Sequence, residues 1–218
     1  MAEGTGRRSA EPELNGGYQA LTLATPRGEV KCRHYTVPGA RAGVLWLGGV
    51  GGGWDSPAKG LYPALMEELA GEELCGLRVR FRHPGDLEEC TRDAAAGLVF
   101  LAGLGCDRLG VVGHSFGGAV AVRAAARQPE VVAVATLATQ GYGAEGAAEL
   151  GPRAALLLIH GRDDEVLPAD CSAALHAAAA EPKRLLVLNG ARHRLDEQAD
   201  RVRRELRDFL LQRLKKPG

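Results

Sequence analysis

From Leu109 to Ala126 the chain reads LGVVGHSFGGAVAVRAAA. A short apolar run, Leu109–Val112, leads into Gly113-His114-Ser115-Phe116-Gly117, and an Ala-rich segment follows. The run suits a strand buried on both faces, and Phe116–Arg127 suits a helix that stops before Pro129. A strand that turns this sharply into a helix puts Ser115 at a strained apex, and only small neighbours let the backbone pass close by. The helix then points its partial positive N-terminal charge toward the place where an oxyanion would develop. Thirty glycines make a bare G-x-S-x-G a weak signal. Its position between an apolar strand and an Ala-rich helix makes it a strong one.

Outward from this point the same alternation continues. Apolar runs at Gly43–Leu47, Leu77–Phe81, Val131–Leu137, Ala155–Ile159 and Leu185–Leu188 read as further buried strands. Helical patterns at Pro57–Glu68, Leu87–Leu101, Pro168–Ala180 and Asp196–Leu214 lie between or after them. Upstream, YQALTLAT and EVKCRHYTV flank Pro26-Arg27-Gly28 and predict a hairpin. Parallel βαβ units with an antiparallel edge make one doubly wound α/β domain over residues 17–218. The polar residues 1–16 are expected to be a disordered leader. Only Ala138–Gly151 separates two of the strands, too little for an inserted lid, which predicts an open site.

With this layout the chain resembles the α/β-hydrolase superfamily from about Ala42 to Leu211, most of all its small, lidless branch of dienelactone-hydrolase-like and carboxylesterase-like proteins. Dienelactone hydrolases proper carry a Cys nucleophile; Ser115 departs from that and argues against that particular activity. The resemblance extends to His160-Gly161-Arg162-Asp163-Asp164-Glu165-Val166-Leu167-Pro168, which is similar to the family's H-G-x-x-D-x-x-V-P with Leu167 in place of Val. It implies Asp164 as the triad acid, and leaves Asp163 and Glu165 as solvated carboxylates. Asn189-Gly190-Ala191-Arg192-His193 is similar to the family's G-A-x-H turn and implies His193 as the base. All three residues follow strand ends, in the order Ser, Asp, His expected for this fold. Gly48-Gly49-Val50-Gly51-Gly52-Gly53-Trp54 resembles the H-G-x-G-G loop with Gly48 where His is usual. On that match the main-chain N–H groups of Val50 and Phe116 form the oxyanion hole. Among the other histidines, His114 is expected to point away from the reacting side, His160 to fix the acid loop, and His34 and His176 to be surface or core positions.

Leu77-Arg78-Val79-Arg80-Phe81-Arg82-His83 alternates apolar and basic residues, which a strand inside a parallel sheet should not do. One reading pairs the arginines with helix carboxylates such as Glu72, Glu73 or Glu88. The other has Arg82 and His83 position an anionic acyl or leaving group. Trp54, Phe116 and Tyr142 are candidate apolar walls.

Bulk properties narrow the function classes. Lys+Arg and Asp+Glu both number 27, so net charge points to no nucleic-acid or membrane partner. No apolar stretch approaches the ~20 residues of a membrane-spanning helix. Five scattered cysteines (Cys32, Cys75, Cys90, Cys106, Cys171) form no CxxC pair, so neither a zinc site nor a disulfide framework is indicated and a cytoplasmic setting fits. The expected activity is hydrolysis of a small to medium acyl ester or thioester through an acyl-enzyme, with no metal or organic cofactor, by a monomer or homodimer. Three alternatives stay open: acyl transfer, peptide cleavage or perhydrolysis on the same triad; a non-enzymatic binding protein of this fold; and a nucleotide-binding domain. The last would require G-x-G-x-x-G, which the Gly-rich loop matches only loosely.

Overall fold

Two short strands, β1 (Gln19–Thr25) and β2 (Gly28–Tyr35), open the fold as the expected hairpin. The Thr25 hydroxyl ties the turn by donating to the Gly28 carbonyl and accepting from the Arg27 amide. The computed structural model describes residues 17–215; the leader expected over residues 1–16 lies outside the described residues.

From there strands and helices alternate: β3 (Ala42–Leu47), α1 (Pro57–Ala70), β4 (Leu74–Val79), α2 (Leu87–Gly103), β5 (Arg108–His114), α3 (Phe116–Ala126), β6 (Val131–Leu137), β7 (Ala155–Gly161), α4 (Asp170–Ala178), β8 (Lys183–Leu188) and α5 (Ala199–Leu214). One eight-stranded sheet runs in the order β1-β2-β4-β3-β5-β6-β7-β8. It is parallel from β4 to β8, and β2 joins β4 antiparallel. Strands β3 and β5–β7 are buried along nearly their whole length because helices cover both faces. Side chains of α2, α3 and α4 form one core with one face of the sheet. Those of α1 and α5 form the other, with Val202, Leu206, Leu210 and Leu214 making the inner stripe of α5. Between β6 and β7 there is only a 3-10 turn, Glu145–Glu149, and no lid.

Several boundaries differ from expectation. The strand expected at Leu77–Phe81 is Leu74–Val79. Leu74, Cys75 and Gly76 look like a loop in sequence, yet they are buried beside β3. Because the strand ends at Val79, the three alternating arginines do not all share a face. Arg78 lies near the Tyr62 ring in the α1–α5 layer, whereas Arg82 pairs with Asp93 of α2 in the opposite layer. Helix α4 is shorter at both ends than Pro168–Ala180, and the C-terminal helix proper starts at Ala199 after a 3-10 turn at Asp196–Gln198. In α1 the residues Ala58, Lys59 and Gly60 have positive φ. Ser56 Oγ accepts the Tyr62 amide at 2.8 Å across this turn.

The sheet order also locates the site. Strand order reverses around β3: β4 lies on one side of it and β5 on the other. Loops leaving the carboxyl ends of β3 and β5 therefore diverge to opposite sides and leave a crevice between them.

Candidate active site

Ser115 follows β5 and caps α3 with φ 55° and ψ −121°, a left-handed, strained geometry for a residue with a side chain. Its neighbours show why glycines surround it. A Cβ on Gly113 would come within 2.0 Å of the Gly117 carbonyl oxygen, and one on Gly117 within 2.2 Å of the Gly48 carbonyl oxygen. The elbow is thus pressed against itself and against the loop after β3.

Three side chains meet here. His193 Nε2 lies 3.0 Å from Ser115 Oγ, and His193 Nδ1 lies 2.8 Å from Asp164 Oδ2. The pairing sets the tautomer: Nδ1–H donates to the carboxylate, leaving Nε2 to accept from the Ser115 hydroxyl. The Asp164 side chain is fully buried and that of His193 is 12 % exposed. Burial opposes ionisation of Asp164, but main-chain N–H groups of Leu167 and Val166, both 2.8 Å from Oδ1, and the His193 ring outweigh it. Its carboxyl is held below the usual range. Asp163 is exposed and uses its amide to bond the Ala191 carbonyl; Asp164 is the residue that faces the imidazole. Glu165 is more than the solvated carboxylate expected, since it accepts the His193 amide at 3.3 Å.

The acid and base loops are brought together by contact between their strands' ends. A Cβ on Gly161 would strike the Ala191 carbonyl at 2.2 Å, so this glycine lets the end of β7 lie against the turn that carries His193. His160 supports the same loop as expected. Its Nε2 is 3.1 Å from both the Leu167 carbonyl and Asp164 Oδ2, and its Nδ1 is 2.6 Å from Ser172 Oγ. Nε2–H is therefore the donor and Nδ1 accepts from the hydroxyl. Burial lowers the His160 pKa, in keeping with a neutral ring.

Sequence reasoning missed one residue. His114, expected only to point away from the reacting side, has its Nε2 3.0 Å from the His193 main-chain oxygen, and the two rings are 5.0 Å apart. Burial pushes its pKa down to about 4, so the neutral ring donates its Nε2–H to that carbonyl. A histidine directly before the elbow serine was the available signal.

The Gly-rich loop lies beside Ser115. A Cβ on Gly49 would sit 3.7 Å from Ser115 Cβ, and Gly52 N donates to Gly49 O to close a turn around Val50. Phe116 opens α3, so its N–H has no helical carbonyl to bond. Arg78, only 5 % exposed, anchors the loop by donating to the carbonyls of Trp54 at 2.6 Å and Asp55 at 3.3 Å. This anchoring does not depend on a His at position 48.

The candidate substrate contacts fare unevenly. Arg82 is not available to a ligand: it pairs with Asp93 at 2.6 Å and Glu89 at 3.0 Å, and its amide bonds Asp93 as well. Of the partners named in advance, Glu72 is engaged with Arg207 and Lys215 and Glu88 with Arg92 and Arg123, and Glu73 makes no ion pair among the described residues. The Trp54 ring is stacked by Arg33 at 4.3 Å instead of lining the site freely. Phe116 is buried against Phe81. His83 and Tyr142 remain exposed, Tyr142 at 79 %.

Among the described residues no group of three or more His, Cys, Asp or Glu side chains is placed to hold a metal ion, and no helix is long and apolar enough to cross a membrane. All five cysteines are free.

The architecture is that of the α/β hydrolases, as comparison with solved structures shows. A dienelactone hydrolase from Anabaena variabilis superposes with a TM-score of 0.78 at 20 % identity, over 91 % of this chain and 98 % of its own. A serine hydrolase without a lid from Xanthomonas campestris gives 0.72 at 19 %, over 95 % and 100 %. An esterase from Pyrococcus furiosus gives 0.73 at 19 %, over 96 % and 99 %. No protein-family model matches the sequence, and no curated protein matches it significantly.

Proposed function

We propose that the chain is a serine hydrolase that cleaves ester or thioester bonds of small to medium substrates through an acyl-enzyme. The observation that carries this reading is the unbroken hydrogen-bonded series Ser115 Oγ, His193 and Asp164, with no lid inserted between β6 and β7. His193 Nε2 takes the hydroxyl proton as Ser115 Oγ bonds to the substrate carbonyl carbon. Asp164 holds the imidazolium that results. The carbonyl oxygen, now an oxyanion, accepts hydrogen bonds from the Val50 and Phe116 amides, each donor of this kind being worth ~3 kcal/mol. Collapse of the tetrahedral intermediate expels the alcohol or thiol, which leaves with the proton from His193. Water then attacks the acyl-Ser115 ester with His193 again as base, releasing a carboxylic acid and restoring the hydroxyl.

The buried carboxylate and the histidine tautomer both favour this assignment over a ligand-binding role, which would use neither. The esterase and hydrolase names of the structural neighbours agree with it. The test is labelling by a fluorophosphonate probe, comparing wild type with Ser115→Ala. Labelling of the wild type that vanishes in the variant is the expected result. A folded wild type that refuses the probe would overturn the reading in favour of a binding protein.

A further inference from the structure

Of the basic run at Leu77–His83, Arg82 is absorbed by its ion pairs with α2 and Arg78 by the Trp54–Asp55 loop. Arg80 is not, and it has company. Arg33 of β2 stands directly opposite Arg78 of β4. The Arg80 amide donates to the Lys31 carbonyl at 3.0 Å, carrying the pairing one residue past β4 and setting Arg80 opposite Lys31. With side chains alternating along each strand, these four residues share the sheet face on which Tyr35 and Trp46 meet α1 and α5. They form two cross-strand pairs of like charge, an arrangement that weakens a sheet.

Among the described residues none of the four has a carboxylate within ion-pairing distance. Arg33 is instead held between the rings of Tyr18, at 4.5 Å, and Trp54, at 4.3 Å. Glu29 lies two residues before Lys31 on the same face and makes no ion pair with it, and the Asp55 carboxylate lies against Gly51 and Gly53. Lys31 and Arg80 are exposed and Arg33 is half-buried, so three cations stay open to solvent on a chain of zero net charge.

These cations lie at the carboxyl end of β4, the same edge of the sheet as the Gly-rich loop and Ser115, and Trp54 of that loop touches Arg33. With strands about 4.8 Å apart in the order β2-β4-β3-β5, the pairs stand roughly 10 to 15 Å from the Ser115 strand. Two pairs about 5 Å wide and about 7 Å long cover one or two phosphate groups, too small a patch for a duplex or a membrane surface. Guanidinium and ammonium groups are the natural partners of phosphate. On the other side of Ser115, the loops after β6 and β7 expose Tyr142 and Val166, which suits an apolar acyl group.

We propose that Lys31, Arg33 and Arg80 bind phosphate groups carried by the leaving group of the ester or thioester that Ser115 attacks. This rests on the acyl-hydrolase reading and names the substrate class for it: an apolar acyl group joined to a phosphorylated alcohol or thiol whose arm spans the strands between.

Two measurements test it. The first compares kcat/KM for butyryl-4′-phosphopantetheine and butyryl-pantetheine, which share acyl group, thioester and arm and differ only in the phosphate. Wild type should favour the phosphorylated substrate at least about tenfold, the yield of one charge-assisted contact, and the ratio should fall toward one in Lys31→Glu and Arg80→Glu. The second titrates inorganic pyrophosphate into Ser115→Ala protein by calorimetry, with and without Lys31→Glu, so that binding is read without turnover. Lys31→Glu places a carboxylate opposite Arg80 and should hold or raise the Tm by about 1–3 °C, so loss of binding would not reflect unfolding. Equal kcat/KM for the two thioesters in wild type, or a ratio unchanged in both variants, would overturn the proposal. Pyrophosphate binding that depends on Lys31 while neither thioester is cleaved would leave the phosphate site standing and sink the hydrolase reading instead.

Discussion

The ring of His114 holds the main-chain oxygen of His193 through its Nε2 at 3.0 Å. The residue before the nucleophile thus positions the loop that carries the base. His114→Phe keeps the ring but removes the donor. It should lower kcat by about tenfold, the worth of one buried hydrogen bond, with KM little changed. Steady-state kinetics on a chromogenic ester would show it, and His114→Gln, which retains an N–H donor, should recover part of the loss.

The same histidine makes stability depend on pH. Burial lowers His114 to about 4 and lowers His160 as well. An unfolded histidine titrates near ~6.5, so between about 6.5 and 4 the unfolded chain binds more protons than the folded one. Tm should therefore fall as pH drops through that window, with no such penalty above it. Asp164, held below the ordinary carboxylate range, adds a loss only at still lower pH, as its carboxylate is protonated. Circular-dichroism melts from pH 8 to 4 would check the sign, and His114→Gln should flatten part of the slope.

Two adjacent carboxylates separate the acid from its neighbour. Asp164→Asn should lower kcat by about 10⁴-fold, because an amide no longer stabilises the imidazolium or holds the right tautomer. Asp163→Asn, on an exposed side chain, should stay within about twofold. Equal effects from the two, measured with one ester, would refute the geometry.

Arg82 belongs to the fold. Asp93 is fully buried and accepts both the amide and the guanidinium of Arg82. Asp93→Ala strips the Arg82 amide of its acceptor and leaves Glu89 as the one remaining carboxylate partner of the guanidinium, and should cost about 1–3 kcal/mol, read by urea denaturation.

Glycines divide by their surroundings. Gly117→Ala drives a methyl into the Gly48 carbonyl and should abolish activity even where the chain still folds. At Gly103, near the end of α2, an added Cβ meets nothing within 4 Å, so Gly103→Ala should stabilise by about 0.5–1 kcal/mol in thermal melts.

The local sequence by itself determined the elbow, the alternation of strands and helices, and the order of Ser115, Asp164 and His193. Each of these depends on short-range chemistry: glycines where the backbone must pass closely, apolar runs where a strand is covered on both faces, a loop residue just past a strand end. The choice of Asp164 over Asp163 came from the resemblance to the family's H-G-x-x-D-x-x-V-P motif, and the distances to His193 agree with it. Tertiary structure alone decided what the other charged and polar residues meet. Nothing in Leu77–His83 shows that the strand stops at Val79, because its register is set by β3 and β2 alongside. That stop sends Arg78 and Arg82 to opposite layers and leaves Arg80 facing Lys31. Likewise, His114 finds the carbonyl of His193 seventy-nine residues away only when β5 and the last loop come together. Pairings between residues far apart in the chain are fixed by sheet order and packing, and these are properties of the whole domain.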